Sequence, residues 1–189
     1  MKKYFGLLAL LMAIPPSTML AQNAAGVGTI ISSPVTAVSS VDLARYVGKW
    51  YEIARFPNSF QKKCSGNVSA EYSTRTDGNI DVMNRCQKSD GTVAEAAGVA
   101  RVVDTASNAK LKVRFAPAWL AWLPMVWGDY WVLELASDYS YAVVGEPGRN
   151  YLWVLSRSPS LPDAVYQSAL TKVAAQGFDV SKLVKTKQE

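Results

Sequence analysis

From residue 47 to residue 157, apolar and polar positions alternate in short runs separated by turn-forming residues. The run 47–56 is dense in Trp50, Tyr51, Ile53 and Phe56, types that suit a pleated, half-buried surface. A period of two puts Trp50, Glu52, Ala54 and Phe56 on one face and Tyr51, Ile53 and Arg55 on the other. Further runs follow at 67–74, 80–85, 92–103, 111–115, 131–135, 141–144 and 151–157. Between them lie turn signals, among them Asp77-Gly78, which supplies the positive φ angles of a hairpin. With the run 47–56 this makes eight strands, and such spacing predicts an all-β sandwich or up-and-down barrel. Alternation assigns Val68, Ala70, Tyr72, Ile80, Val82, Asn84, Leu111, Val113 and Phe115 to the inner face. The small residues Ala94, Ala96, Gly98 and Ala100 either leave room inside or let a helix approach outside.

Helical periodicity is confined to two places. Residues 41–46 suit one short turn capped by Asp42. Near the C-terminus, Leu161, Val165, Ala169, Leu170 and Val173 form an apolar stripe. Ser160 and Asp163 form a capping box there, Pro162 suits the first turn, and Gly177 ends the helix. This helix is expected to dock outside a sheet, followed by a short closing strand within 179–184. At the other end, Lys2 and Lys3 precede an apolar run from 4 to 14, then Pro15, Pro16 and small residues. That pattern predicts a signal peptide over 1–21, in a run too short to span a bilayer. Residues 22–40 read as a flexible leader and 41–189 as one domain. With no cysteine near the cleavage region to accept a lipid anchor, the expected product is periplasmic, and any outer-membrane association is without such an anchor.

The 189-residue chain is 49% hydrophobic, enough for a sizeable core. Its formal charge of +5 falls by two when Lys2 and Lys3 leave with the signal, too weak a balance to argue for nucleic acid. There is no histidine, which removes Ser-His-Asp and Cys-His catalysis and imidazole ligation of metal or haem. Two cysteines are too few for a thiolate zinc site, so no metal, cofactor or catalytic residue is expected. Cys64 and Cys86 form an even pair in a secreted chain, which favours a disulfide, although the Asp77-Gly78 register does not set them opposite each other. The alternative is a reactive thiol. Glu52 has no second carboxylate beside it and reads as structural. The segment 116–127 is too apolar for an ordinary loop, and Pro117 and Pro124 deny it a regular strand. Trp119, Trp122 and Trp127 are expected to form a lid or to contact a membrane surface or a second copy of the chain.

Gly48-Lys49-Trp50 resembles the Gly-x-Trp signature of lipocalins, in which the indole plugs the closed end of an eight-stranded antiparallel up-and-down barrel. Arg157 matches the cation laid over that indole, and Gly128-Asp129-Tyr130-Trp131 matches the second motif. Residues 50–56, 151–157 and 177–180 look like the bacterial outer-membrane lipocalin group, kin to apolipoprotein D. The resemblance implies one C-terminal flanking helix outside the barrel. It also implies binding of fatty acids or lysophospholipids, for envelope maintenance or stress response, by a monomer or homodimer without catalysis. Trp153 matches a cavity-lining position, and the expected ligand-binding set is Trp153, Tyr151, Tyr72, Val82, Asn84, Val113, Phe115 and Trp131. Arg55, Lys62 or Lys63 is the expected contact for a headgroup. Two other readings are an envelope protein that binds a partner through 116–127 and a lipocalin-fold isomerase.

Overall fold

Eight consecutive strands pair antiparallel with their neighbours and close on themselves. The computed structural model describes residues 33–189. The expected signal segment 1–21 and the leader up to residue 32 lie outside the described residues. In order, the elements are α1 (Leu43–Tyr46), β1 (Gly48–Arg55), β2 (Cys64–Thr74), β3 (Ile80–Lys88), β4 (Val93–Val102), β5 (Lys110–Arg114), β6 (Gly128–Leu135), β7 (Tyr141–Gly145), β8 (Leu152–Ser156), α2 (Asp163–Ala174) and β9 (Val184–Lys185). β1 closes the barrel by pairing with β2 through its first half and with β8 through its second. The short β9 adds to the edge of β1 that β2 leaves free.

Two apolar clusters share the wall. Trp50, Tyr72, Ile80, Val82, Leu111, Val132, Val144 and Leu155 pack inside the barrel. Outside, Leu133, Val143, Leu152 and Val154 meet Tyr166, Ala169 and Val173 of α2, with Phe178 beyond it. The helix therefore covers one side of the barrel. Ala96 and Gly98 pair with the inward residues Asn84 and Val82, across the barrel from the helix, so the small β4 residues make room inside.

Several local expectations change. Ile53 is an extra residue between Glu52 and Ala54 in the β1–β8 register. This bulge turns Ala54 and Phe56 outward into the cluster under α2 and aims Arg55 inward, opposite Trp153. Residues 33–40 were expected as leader, yet Val35 is buried in the outer cluster, and Val38 N–H donates to the Val132 carbonyl at 2.8 Å. Asp42 caps α1 as expected, accepting from Ala44 N–H at 2.9 Å. The Ser160 capping box does not form, because Pro162 occupies the N-cap of α2 without a side-chain bond. Gly177 ends that helix with φ 84°. The closing strand starts later than expected, after a 3-10 turn at Val180–Lys182.

Trp50 is fully buried and closes one end of the barrel. The Arg157 guanidinium lies 3.8 Å from the centre of its ring. Arg157 also donates to the carbonyls of Arg45, Tyr46, Val47 and Lys49 at 2.7–3.0 Å. One side chain thus satisfies the carbonyls leaving α1 and covers the indole. Gly48 has φ 95°, and a Cβ there would come 3.3 Å from Arg157 Nη1, so the motif glycine gives both the turn and the space.

Cys64 and Cys86 are bridged, with Cα atoms 5.5 Å apart. Two irregularities in β2 shift the hairpin register until Cys64 faces Lys88, which brings Cys86 within diagonal reach.

Arg157→Ala should lower unfolding free energy by about 2–4 kcal/mol in chemical denaturation, through the lost cation–π contact and the lost charged hydrogen bonds to four carbonyls, two of them part-buried. Arg157→Lys should fall between, because an ammonium cannot span the same carbonyls. Replacing both cysteines with alanine should cost about 3 kcal/mol, the loop-closure contribution of a bridge of this span.

Candidate functional site

The antiparallel order puts the loops 56–63, 89–92, 115–127 and 146–151 at the end opposite Trp50. The open end is lined by aromatic residues. Tyr151 stacks on Trp153, with ring centres 5.8 Å apart and planes 10° apart. Phe60, from the loop after β1, lies 5.7 Å from Tyr151 and 6.2 Å from Trp153. Phe60 is 56% exposed and Tyr151 38% exposed, whereas Trp153 is half-buried in the inner wall. The three rings form a collar graded from solvent to lumen.

Below the collar the wall is mixed. Ala70, Asn84, Gly98 and Val113 face inward yet keep accessible surface, so the lumen is open at their level. Phe115 lies just past the end of β5 at 44% exposure. A Cβ on Gly98 would fall 2.7 Å from its ring, so the glycine is the seat for Phe115. Deeper still, Val82 and Tyr72 are buried.

One polar group of residues interrupts this apolar surface. Glu52 is 3% exposed. Gln61 Nε2 donates to it at 2.7 Å, and Thr186 Oγ1 donates to its other oxygen. Gln61 Oε1 accepts from Trp153 Nε1 at 3.2 Å and from Asn58 at 2.7 Å, tying the collar to the carboxylate. Arg55 sits 3.5 Å from Glu52 with its side chain 16% exposed. Among the described residues it donates no hydrogen bond, and its Nε is buried without one. A guanidinium carries five donors. Arg55 is therefore a cation inside the mouth, paired with Glu52 through its buried Nε and with its terminal Nη donors unbonded among the described residues. Burial pushes the Glu52 carboxyl up, and the bonds from Thr186 and Gln61 and the charge of Arg55 offset only part of that.

The expected site residues separate into three groups. Trp153, Tyr151, Tyr72, Val82, Asn84, Val113 and Phe115 belong to the inner wall or its rim. Trp131 does not. It pairs with Lys110 on the outward face, packs beside the cluster under α2, and has the Lys110 ammonium 4.5 Å from its ring centre. The inward residue of that motif is its neighbour Tyr130, paired with Leu111.

The tryptophan segment also divides. Trp127 is clamped on the outer wall between Arg101 and Arg114, whose guanidinium carbons lie 4.2 and 5.3 Å from its centre. Its indole donates to Ala121 C=O at 2.8 Å. Trp119, Trp122 and Met125 are 73%, 76% and 84% exposed, so these indoles do not fold into the barrel as a lid. Phe60, Gln61, Thr186 and Tyr130 are the residues that sequence reasoning missed. For Tyr130 the signal was present, since counting parity from Gly128 turns it inward. The bridged cysteines leave no free thiol, which removes the nucleophile from the isomerase reading.

Residues 41–188 match the family profile described as a lipocalin-like domain. The chain is 42% identical to temperature-induced lipocalin-1 of Arabidopsis thaliana over 153 residues, covering 80% of this chain and 81% of the relative. It is 39% identical over 155 residues to the outer membrane lipoprotein Blc of Escherichia coli K12, covering 82% and 83%. It is 34% identical over 170 residues to mouse apolipoprotein D, covering 85% and 83%. Among solved structures, insecticyanin from Manduca sexta superposes with a TM-score of 0.63 at 23% identity, covering 82% of this chain and 85% of that one, which supports the fold alone.

The pH dependence of stability follows from Glu52. Its folded-state pKa is raised, so its contribution is complete below the ordinary carboxyl value of 4.5 and is lost as pH rises through the raised value. Compared with Glu52→Gln, the native protein should lose unfolding free energy across that window and run parallel to the variant above it. Parallel curves throughout, in denaturant titrations at stepped pH, would contradict the assignment.

Proposed function

The chain belongs to the lipocalin family, and we propose that its barrel carries a single-chain anionic lipid, a fatty acid or lysophospholipid, with the headgroup at Arg55 and the chain inside. Lipocalins bind small hydrophobic ligands, and what this barrel adds is one cation with free donors just inside an aromatic mouth. That observation carries the reading. Each methylene moved from water into the lumen contributes about 0.8 kcal/mol, so the chain supplies most of the affinity. The collar of Phe60, Tyr151 and Trp153 suits the boundary between chain and headgroup. Arg55 supplies orientation, since a guanidinium can meet a carboxylate or phosphate with two parallel bonds. Glu52 holds Arg55 beside the collar, which accounts for a buried carboxylate without assigning it chemistry.

The setting that goes with this reading is the cell envelope, consistent with the Blc relatives, which are outer membrane lipoproteins by name. The exposed Trp119, Trp122 and Met125 on the same end of the barrel support contact with a membrane surface, because an indole places an apolar ring and a wet N–H at such a boundary.

Native mass spectrometry of protein purified from its own host should reveal a co-purifying lipid. A barrel that is consistently empty and takes up no fluorescent fatty acid would contradict the carrier. Arg55→Ala should weaken fatty-acid binding about tenfold in a displacement titration, the scale of one lost charge-assisted bond, and leave a fatty alcohol of equal length unaffected. Replacing Trp119 and Trp122 with serine should reduce partition onto lipid vesicles, and unchanged partition would remove the membrane contact.

A further inference from the structure

Three tyrosine hydroxyls meet across the lumen above Trp50. Tyr46 comes from α1, Tyr72 from β2 and Tyr130 from β6 on the opposite wall. Tyr130 Oη lies 2.8 Å from Tyr46 Oη and 3.1 Å from Tyr72 Oη, so it is the centre of a chain of three. The rings are held by one another. Tyr46 lies 5.1 Å from Trp50 and 5.9 Å from Tyr72, and Tyr72 meets Tyr130 edge-on at 6.2 Å. Burial keeps all three protonated: it pushes Tyr72 up to about 12 and raises the other two well above the ordinary tyrosine range.

A hydroxyl has one proton to give. Three hydroxyls joined by two contacts use two protons, and one remains whichever way the chain is oriented. None of the three has another hydrogen-bond partner among the described residues. The surrounding inner wall is built from Val82, Leu111, Val132 and Val144, which offer no side-chain acceptor. Tyr46 and Tyr72 are buried, whereas Tyr130 keeps accessible surface. The lumen therefore ends on a neutral hydroxyl cluster with one proton to spare in apolar surroundings, where an acceptor counts for most.

We propose that the cluster of Tyr46, Tyr72 and Tyr130 is a donor site for an oxygen near the far end of an acyl ligand, so that the cavity prefers oxygenated chains, such as oxo fatty acids, to plain ones. The inference rests on the carrier reading: Arg55 fixes the head, the chain descends, and its distal end arrives at the tyrosines. A neutral acceptor fits, since the residues packed around the hydroxyls are apolar and the cation that acts on Tyr46 and Tyr72, Arg157, is already engaged by four carbonyls and the Trp50 ring.

The test compares a fatty acid with its oxo analogue of equal length, the carbonyl near the methyl end, by competitive displacement. The oxo acid should bind about three- to tenfold more tightly, the scale of one net neutral hydrogen bond. Its bound carbonyl stretch should shift to lower frequency than in hydrocarbon solvent. The triple variant Tyr46→Phe, Tyr72→Phe, Tyr130→Phe should lose the preference, so that it binds the oxo acid no more tightly than the plain acid, whatever its affinity for either. If that variant fails to fold, the infrared shift in the native protein still decides. Equal affinity for the two acids with an unshifted carbonyl overturns this inference and leaves the carrier intact. Binding of neither acid removes the carrier and this inference with it.

Discussion

The contact between Arg157 and Trp50 is the one on which the rest of the structure depends. A barrel of eight strands has two open ends, and a cavity needs one of them shut. The indole shuts it from inside, and the guanidinium covers the indole while binding four carbonyls around the exit of α1. Burying an indole face against a planar cation that is also hydrogen-bonded avoids leaving either group unpaired. Because the first barrel strand begins there and the last ends there, the same contact fixes where the wall closes. The lumen above inherits a rigid base, on which the tyrosine hydroxyls are arranged.

β1 then serves two cores in turn. Up to Glu52 it faces Trp50 and Glu52 into the barrel. The extra residue at Ile53 reverses the alternation, so that Ala54 and Phe56 go under α2 and Arg55 goes to the lumen. A regular strand would have sent Arg55 to the outer wall and its charge away from any ligand. The bulge therefore does two things at one step: it seats the helix and puts a cation at the mouth. Thr186, just beyond β9, and Gln61, from the loop after β1, satisfy Glu52 and keep the pair in place.

Much of this was legible in the chain because it is local. Strand alternation, the turn residues and the helical stripe at 161–173 each need only a short window, and the Gly48–Trp50–Arg157 relation is carried by recognisable short motifs. What failed was parity across an irregularity. Ala54 and Phe56 were assigned the wrong face because a bulge leaves no mark in the pattern. The apolar run points to Trp131 rather than Tyr130 as the lining because the β6 strand begins at Gly128, earlier than that run. The remaining members of the collar and the polar group were invisible for another reason. Phe60 and Gln61 come from a loop and Thr186 from the tail, and only closure of the barrel brings them to Trp153 and Glu52.

The lumen between the aromatic collar and the tyrosines is the proposed ligand site. Isotope-filtered nuclear Overhauser measurements on the protein with a uniformly carbon-13-labelled fatty acid test it most directly. Contacts are expected from the carboxyl end of the chain to Arg55 and Trp153, from its middle to Val113, and from its methyl end to Tyr130. Contacts confined to Trp119, Trp122 and Met125, with none to the inner wall, would contradict it.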